Sequence, residues 1–337
     1  MLYPKVWGGR ALTRLAKPLP DFPPHLADAI PTPAEFPGGF IGESWELADL
    51  ASTSASGAGG SAARSVIAAG PLAGRTVSDA MAEWGTDLLG SAKPAAAGGF
   101  PLLIKFLDAR EHLSVQVHPS PAYAKAHPEA KLKTECWYIL HAEPGAVIYK
   151  GIRPGCTPEQ FARAIAEGTV EQAMIAVPAI AGECHNLPSG TCHALGAGVL
   201  VAEVQTPSDT TFRVYDWGRA GRELHVAQAL ECIDFGPAPA AAFLPGDLDS
   251  ARLVSTEFFT LDEVRCSTGE PVELGRGAKA CEVVIVTRGG GTLRSLDGQF
   301  APVRCNLGST TLVPFRVLAG CVFNPESETT LLRAVPR

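Results

Sequence analysis

The sequence predicts a mainly β protein built from two jelly-roll barrels with a small helical insert, and three observations point there. The 337 residues include 35 Gly and 28 Pro with only 19% charged residues, a composition of many turns and short elements that suits sheets better than a helical bundle. Short apolar runs such as CEVVIVTRG, STTLVPF and TTLLRAV are separated by turn residues at the intervals of a sandwich or jelly roll. Both halves read this way, which suggests a duplicated barrel, although no internal repeat is visible.

The elements follow in order. A Pro-rich stretch, PLPDFPPHLADAIPTPAEFPGG, precedes the strand-like FIGESWELADL. Residues 51–65, ASTSASGAGGSAARS, read as a loop with nothing to bury. TVSDAMAEWGTDLLG reads as a helix with Thr76 or Ser78 as its cap. PLLIKFLDA is a buried strand leading through the charged turn Arg110–Glu111 into HLSVQVHPS. KTECWYILHAEPGAVIYKGI reads as two strands broken at Glu143–Pro144–Gly145. In TPEQFARAIAEG, Thr157 is the N-cap, Pro158 lies in the first turn, Gln160 completes a capping box and Gly168 ends the helix. This helix opens an insert spanning about 157–177. Strands return with HNLPSGTCHALGAGVLVAEVQ and TTFRVYDWG, and a linker at 235–247 leads to the final β-rich stretch. RGGGTLRS, at Arg288–Gly289–Gly290–Gly291, reads as a hairpin turn, because no strand, Gly-loop and helix surround it as a nucleotide site requires.

A net charge of −7 argues against nucleic acid or an anionic membrane as partner, and leaves room for a local basic pocket. The N-terminal MLYPKVWGGRALTRL has no signal-peptide core, and no apolar run is long enough to span a bilayer. The nine cysteines are scattered and form no CxxC pair, as expected of reduced thiols in a cytoplasmic protein.

One strand carries unexpected polarity. In HLSVQVHPS the alternation puts Ser114, Gln116 and His118 on one face, with Val115 and Val117 on the other. Glu135 enters an apolar strand in KTECWYIL, and Lys133, two residues earlier, shares its face. In LPSGTCHALGAG, Pro188 and Gly190 set a tight turn before His193. Glu203 is a polar insertion in LVAEVQ and a pocket candidate. Asp209 and Arg213, four apart in TPSDTTFRVYD, would share a strand face, where a rim ion pair is the plain alternative to a binding role.

PSGTCH has the P-x-G-x-x-H form of the second cupin motif, and Q-V-H followed by Glu135 is similar to the first, with glutamine where most cupins have histidine. Together with GESWELAD, FPLLIKFLDA, LSVQVHP, KTECWYIL, LPSGTCHALGAG and TPSDTTFRVYDWGR, the chain resembles the type I mannose-6-phosphate isomerases of the shorter bacterial form, from about Val6 to Arg219. The resemblance implies two cupin barrels, with the catalytic domain at 1–245; residues 250–337 contain no histidine and no matching Q-x-H or P-x-G-x-x-H run, so the barrel at 246–337 is expected to hold no metal. The resemblance implies one zinc ion held by Gln116, His118, Glu135 and His193, donors that suit a catalytic Zn²⁺ without thiolate. It further implies that Ser114 contacts substrate, that Lys133 lies at the pocket, and that Asp209 and Arg213 belong to the active site.

Interconversion of D-mannose 6-phosphate and D-fructose 6-phosphate, the activity implied, needs an acid and base for the C1–C2 proton, a stabiliser for the enediolate and cations for the phosphate. The catalytic candidates are Lys133, Asp209 and Arg213; Ser114, Lys133, Glu203 and Arg213 are the substrate-binding ones. A metal and partial burial are expected to lower the Lys133 pKa. The partner expected is a small sugar phosphate, with no nucleic acid or membrane, and the chain is expected to be a cytoplasmic monomer. Two other readings stand beside this one: an Fe²⁺-dependent cupin dioxygenase, and a non-catalytic sugar-binding cupin.

Overall fold

The computed structural model describes residues 1–17, 40–54 and 60–337. The Pro-rich stretch at 18–39 and residues 55–59 of the Gly-rich segment lie outside them. The described chain is mainly β, with its named strand pairs antiparallel. A seven-stranded sheet runs in the order Leu2–Gly9, Ile41–Leu47, Leu103–Ala109, Val199–Gln205, Glu135–Ala142, Cys184–Leu187 and Ala241–Ala242. A five-stranded sheet packs on its inner face, in the order Phe212–Tyr215, Val115–Val117, His193–Leu195, Val147–Ile152 and Met174–Pro178. Leu107, Trp137, Ile139 and Val201 of the first meet Ile148 and Leu195 of the second.

A second pair of sheets follows. Ser250–Ser255, Phe259–Cys266, Thr329–Pro336, Glu282–Arg288 and Thr310–Val313 form five strands against the four of Val272–Glu273, Cys321–Pro325, Gly290–Ser295 and Val303–Asn306. Phe323, Leu293 and Cys305 fill the space against Val284, Val286 and Leu331. Between the two pairs lies one continuous apolar layer. Ile104, Phe106, Tyr138 and Val204 meet Phe259, Leu261, Val283 and Leu332 there. The seven-stranded sheet is therefore covered on both faces. That explains why Leu103–Ala109 is buried at every position and reads as a continuous apolar run rather than an alternating one.

The local signals for helices are realised. Thr76 caps Val77–Trp84 in a capping box with Asp79, and Thr157 caps Pro158–Glu167 in another with Gln160. Gly168 closes the second helix with a φ of 69°, a left-handed position that glycine adopts without a Cβ clash. Three expectations are corrected. The insert keeps helices only through Val170–Ala173, and residues from Met174 join the five-stranded sheet as an edge strand. The segment 51–65 is not loop throughout, since Ala63–Arg64 pairs with Asp49–Leu50. The stretch Arg288–Gly291 is not a hairpin: at Gly289, φ 69°, the chain leaves one sheet and enters the other. The helix Val226–Cys232 carries no capping side chain that would have marked it.

Among the described residues, no helix is long and apolar enough to cross a membrane. All nine cysteines are free thiols, and all except the half-buried Cys156 are buried.

Candidate active site

Strand register assembles the site. On the five-stranded sheet Arg213 pairs with Gln116, Gln116 with His193, and His193 with Lys150. Directly opposed residues of antiparallel strands share a face, so these four form one polar row. On the facing sheet Trp45 pairs with Lys105, Lys105 with Glu203, Glu203 with Trp137, and Trp137 with His185. Two polar rows thus face each other across an otherwise apolar barrel.

The metal-binding geometry sits between them. His118, Glu135 and His193 are fully buried and could hold a metal ion, with ligand atoms all within 4.8 Å of one another. Glu135 Oε2 lies 3.3 Å from His118 Nε2, and Glu135 Oε1 lies 3.1 Å from His193 Nε2. The other ring nitrogen of each histidine faces a main-chain carbonyl: His118 Nδ1 is 3.0 Å from Thr210 O and His193 Nδ1 is 2.8 Å from Thr191 O. A carbonyl only accepts, so each Nδ1 carries the proton and each Nε2 presents a lone pair to the centre.

Burial, with Lys133 close by, pushes the His118 pKa down to about 3, which keeps that ring neutral. His118 Nε2 and Glu135 Oε1 are buried without a hydrogen-bond partner. Two lone pairs aimed at a carboxylate repel unless a cation lies between them, so the residues present fit a metal. Gln116 Nε2 is 3.3 Å from His193 Nε2; turning the amide over brings its oxygen to the same place. Cys192 alternates away from His193 into a separate apolar core, so the site lacks a thiolate although one is adjacent in sequence.

Outside this cluster a cleft of about 650 Å³, including its open mouth, is lined by Ser114, Gln116, Lys133, Glu203, Asp209, Thr211, Arg213 and Arg222 on one side. Lys5, Trp7, Glu43, Trp45, Lys105, Leu107 and Leu113 complete it. Each of the expected substrate-binding and catalytic residues therefore reaches one cleft. Five cations (Lys5, Lys105, Lys133, Arg213, Arg222) face three carboxylates (Glu43, Glu203, Asp209) there. A cationic excess within a chain of net charge −7 favours an anionic ligand.

One expectation about these residues is corrected, and the other, that a metal and partial burial lower the Lys133 pKa, is opposed by the protein's own charges. Burial works in that direction, but Glu135, whose Oε2 is 2.7 Å from the ammonium, and Glu203 outweigh it and push it up to about 12. Burial would raise the Glu135 pKa, yet Lys133 holds it well below the usual carboxylate range. Asp209 and Arg213 do not share a strand, because the strand is only Phe212–Tyr215 and Asp209 precedes it. Asp209 accepts from Ser54 N at 2.5 Å, while Arg213 Nη1 donates to Glu223 O at 2.7 Å. The rim ion pair is absent from their contacts.

Sequence reasoning found Glu203 on the far wall but missed the residues around it. Glu43 accepts from Trp45 Nε1 at 2.7 Å and pairs with Lys5 at 3.2 Å and Lys105 at 3.6 Å. Although burial would raise it, those lysines bring the Glu43 carboxyl down to about 2. Glu203 accepts from Trp137 Nε1 at 2.8 Å and lies 3.5 Å from Lys105. Burial and the neighbouring Glu135 raise its pKa. Charged residues inside apolar strands, Lys105 in LLIKFL above all, were the available signal.

The family model described as "Phosphomannose isomerase type I, catalytic domain" matches residues 56–138. A mannose-6-phosphate isomerase of Streptococcus mutans is 42% identical over 184 residues, covering 52% of this chain and 57% of that protein. Mannose-6-phosphate isomerase ManA of Bacillus subtilis is 42% identical over 146 residues, covering 42% of this chain and 46% of that protein. The chain thus spans about half the length of the curated relatives it matches. The crystal structure of mannose 6-phosphate isomerase from Bacillus subtilis superposes with a TM-score of 0.75 at 25% identity, over 99% of this chain and 97% of that one. A mannose 6-phosphate isomerase bound with zinc and yttrium shares the fold, with a TM-score of 0.69 at 16% identity over 100% of this chain and 98% of that one. In sequence over about half its length, and in fold over its whole length, the chain is similar to mannose-6-phosphate isomerases, and residues 56–138 match the type I catalytic domain.

Proposed function

We propose that the chain interconverts D-mannose 6-phosphate and D-fructose 6-phosphate, with one zinc ion held by Gln116, His118, Glu135 and His193. The observation that carries this reading is the buried His118–Glu135–His193 cluster opening on a cleft with an excess of cations. When bound, the metal supplies Lewis-acid polarisation of the sugar oxygens. The chain's own residues do the rest. Asp209, fixed by the Ser54 amide, takes the proton from carbon, and the Lys133 ammonium donates to a sugar oxygen. Arg213 faces the developing enediolate, while Ser114 and Glu203 hydrogen-bond sugar hydroxyls. The relatives named as mannose-6-phosphate isomerases support the substrate assignment. A coupled assay with mannose 6-phosphate, together with metal analysis, tests the reading; a zinc-loaded protein inert toward that substrate would sink it.

We further propose that residues 1–245 form the catalytic unit and 246–337 a barrel without metal, in a cytoplasmic monomer. The sheets partition at this boundary, between Ala242 and Ser250. Residues 250–337 contain no histidine. Metal analysis is expected to return one zinc per chain, and a second metal bound within 246–337 would refute the assignment. Chelation is expected to abolish turnover while leaving the circular dichroism spectrum unchanged. The apolar layers that hold the sheets together contain none of the four proposed ligands, so the fold is not expected to rest on the metal. Turnover that persists after the metal is stripped would overturn the metal dependence.

A further inference from the structure

Arg222 lies three residues beyond the last of the motifs, TPSDTTFRVYDWGR. The stretch from Asp216 to His225 leaves the strand Phe212–Tyr215 and returns to it: His225 N donates to Arg213 O at 2.7 Å, and Arg213 Nη1 donates to Glu223 O at 2.7 Å. Trp217 pins its start. This residue adopts a φ of 55°, donates from Nε1 to Leu113 O at 2.6 Å and stacks on His112 at 4.5 Å. A left-handed non-glycine persists only where its surroundings hold it, and these contacts hold Trp217 in place. The loop carries Arg222 to the cleft wall beside Arg213.

The charges there do not balance. Asp216 serves two guanidiniums, Arg219 at 2.7 Å and Arg222 at 3.1 Å. Arg213 is buried, and its Nε has no hydrogen-bond partner. Only Nη1 of Arg222 is engaged, by both Asp216 oxygens, among the described residues. Burial lowers the pKa of both Arg213 and Arg222; Arg222 lowers that of Arg213 further, and Arg219 that of Arg222 against the opposing pull of Asp216. Lys5 and Lys105, across the cleft, are matched by Glu43 and Glu203. The unmatched positive charge is therefore local to the Arg213–Arg222 corner, where the unengaged Nε and Nη2 of Arg222 form a planar fork that suits a phosphate.

We propose that Arg222 is the residue that recognises the substrate's phosphate, leaving Arg213 for the reacting carbons; this rests on the isomerase reading above. Its side chain is 27% exposed, as suits a group that meets the phosphate at the cleft mouth. Arg222→Met is expected to raise KM for mannose 6-phosphate about tenfold to a hundredfold. Its kcat should stay within about threefold of wild type. Inorganic phosphate, as a competitive inhibitor, should weaken by the same factor, and zinc content should be unchanged. Unaltered phosphate inhibition in a folded Arg222→Met protein, or a loss in kcat at constant KM, would overturn the assignment. A measurement on the wild-type protein does not depend on how the variant folds or on turnover. Inorganic phosphate should protect Arg222 from phenylglyoxal labelling, read by peptide mass spectrometry. Equal labelling with and without phosphate sinks the proposal. Protection at Arg222 in a protein inert toward mannose 6-phosphate would instead reject the isomerase reading and keep the anion site.

Discussion

Replacing His193 with alanine is expected to remove zinc and turnover together. His193 Nε2 lies 3.1 Å from Glu135 Oε1, and its ring is oriented by Thr191 O at 2.8 Å. Alanine deletes one of two imidazole donors and leaves Glu135 buried beside Lys133, which then satisfies the carboxylate in place of a metal. Loss of a metal that polarises the reacting oxygens removes several kcal/mol of transition-state stabilisation, so activity should fall by at least about a thousandfold. Cys192→Ala is the control. That thiol is equally buried and adjacent in sequence but packs in the opposite core. It should lower the melting temperature by a few degrees, corresponding to roughly 1 kcal/mol of lost packing, and retain zinc. Elemental analysis and the coupled assay read both variants. A His193→Ala protein with full zinc content would refute the ligand assignment.

The features legible in the sequence were those determined by local rules. Alternation put Ser114 and Gln116 on the cleft side, because a strand's period of two is independent of its neighbours. The capping box of Thr157 and Gln160 needed only a spacing of three. What escaped depends on which strands become neighbours. Lys105 meets Glu43 and Glu203 only through the register of three strands distant in sequence. Part of the charge that holds the Lys133 pKa up escaped for the same reason, since it comes from Glu203, on another strand. Asp209 looked strand-paired with Arg213 because spacing cannot reveal that the Ser54 amide holds it elsewhere. At Gly289 the turn was readable and its destination was not: a positive φ permits a hairpin or a crossing between sheets equally well.

Arg213→Lys is expected to lower kcat about a hundredfold to a thousandfold with KM near wild type. An exposed ion pair with Asp209 would tolerate lysine at a cost of at most about 1 kcal/mol, but the structure offers no such pair. Arg213 is 4% exposed, spends one Nη on the Glu223 carbonyl and keeps a buried Nε without a partner. A lysine can occupy only one of those positions, so it either keeps the loop carbonyl or reaches the ligand. A preorganised donor aimed at developing negative charge, in a site shielded from water, is typically worth roughly 2.7–4 kcal/mol. Zinc content should not change, because Arg213 is not among the residues that could hold the metal. The kinetic pattern separates the two arginines: a loss in kcat for Arg213 marks an interaction made in the transition state, and a rise in KM for Arg222 marks one made throughout. Unchanged kcat and KM in Arg213→Lys would reduce that residue to a brace for the 216–225 loop. The same KM rise in both variants would make the two guanidiniums a single phosphate clamp, with enediolate stabilisation left to Lys133.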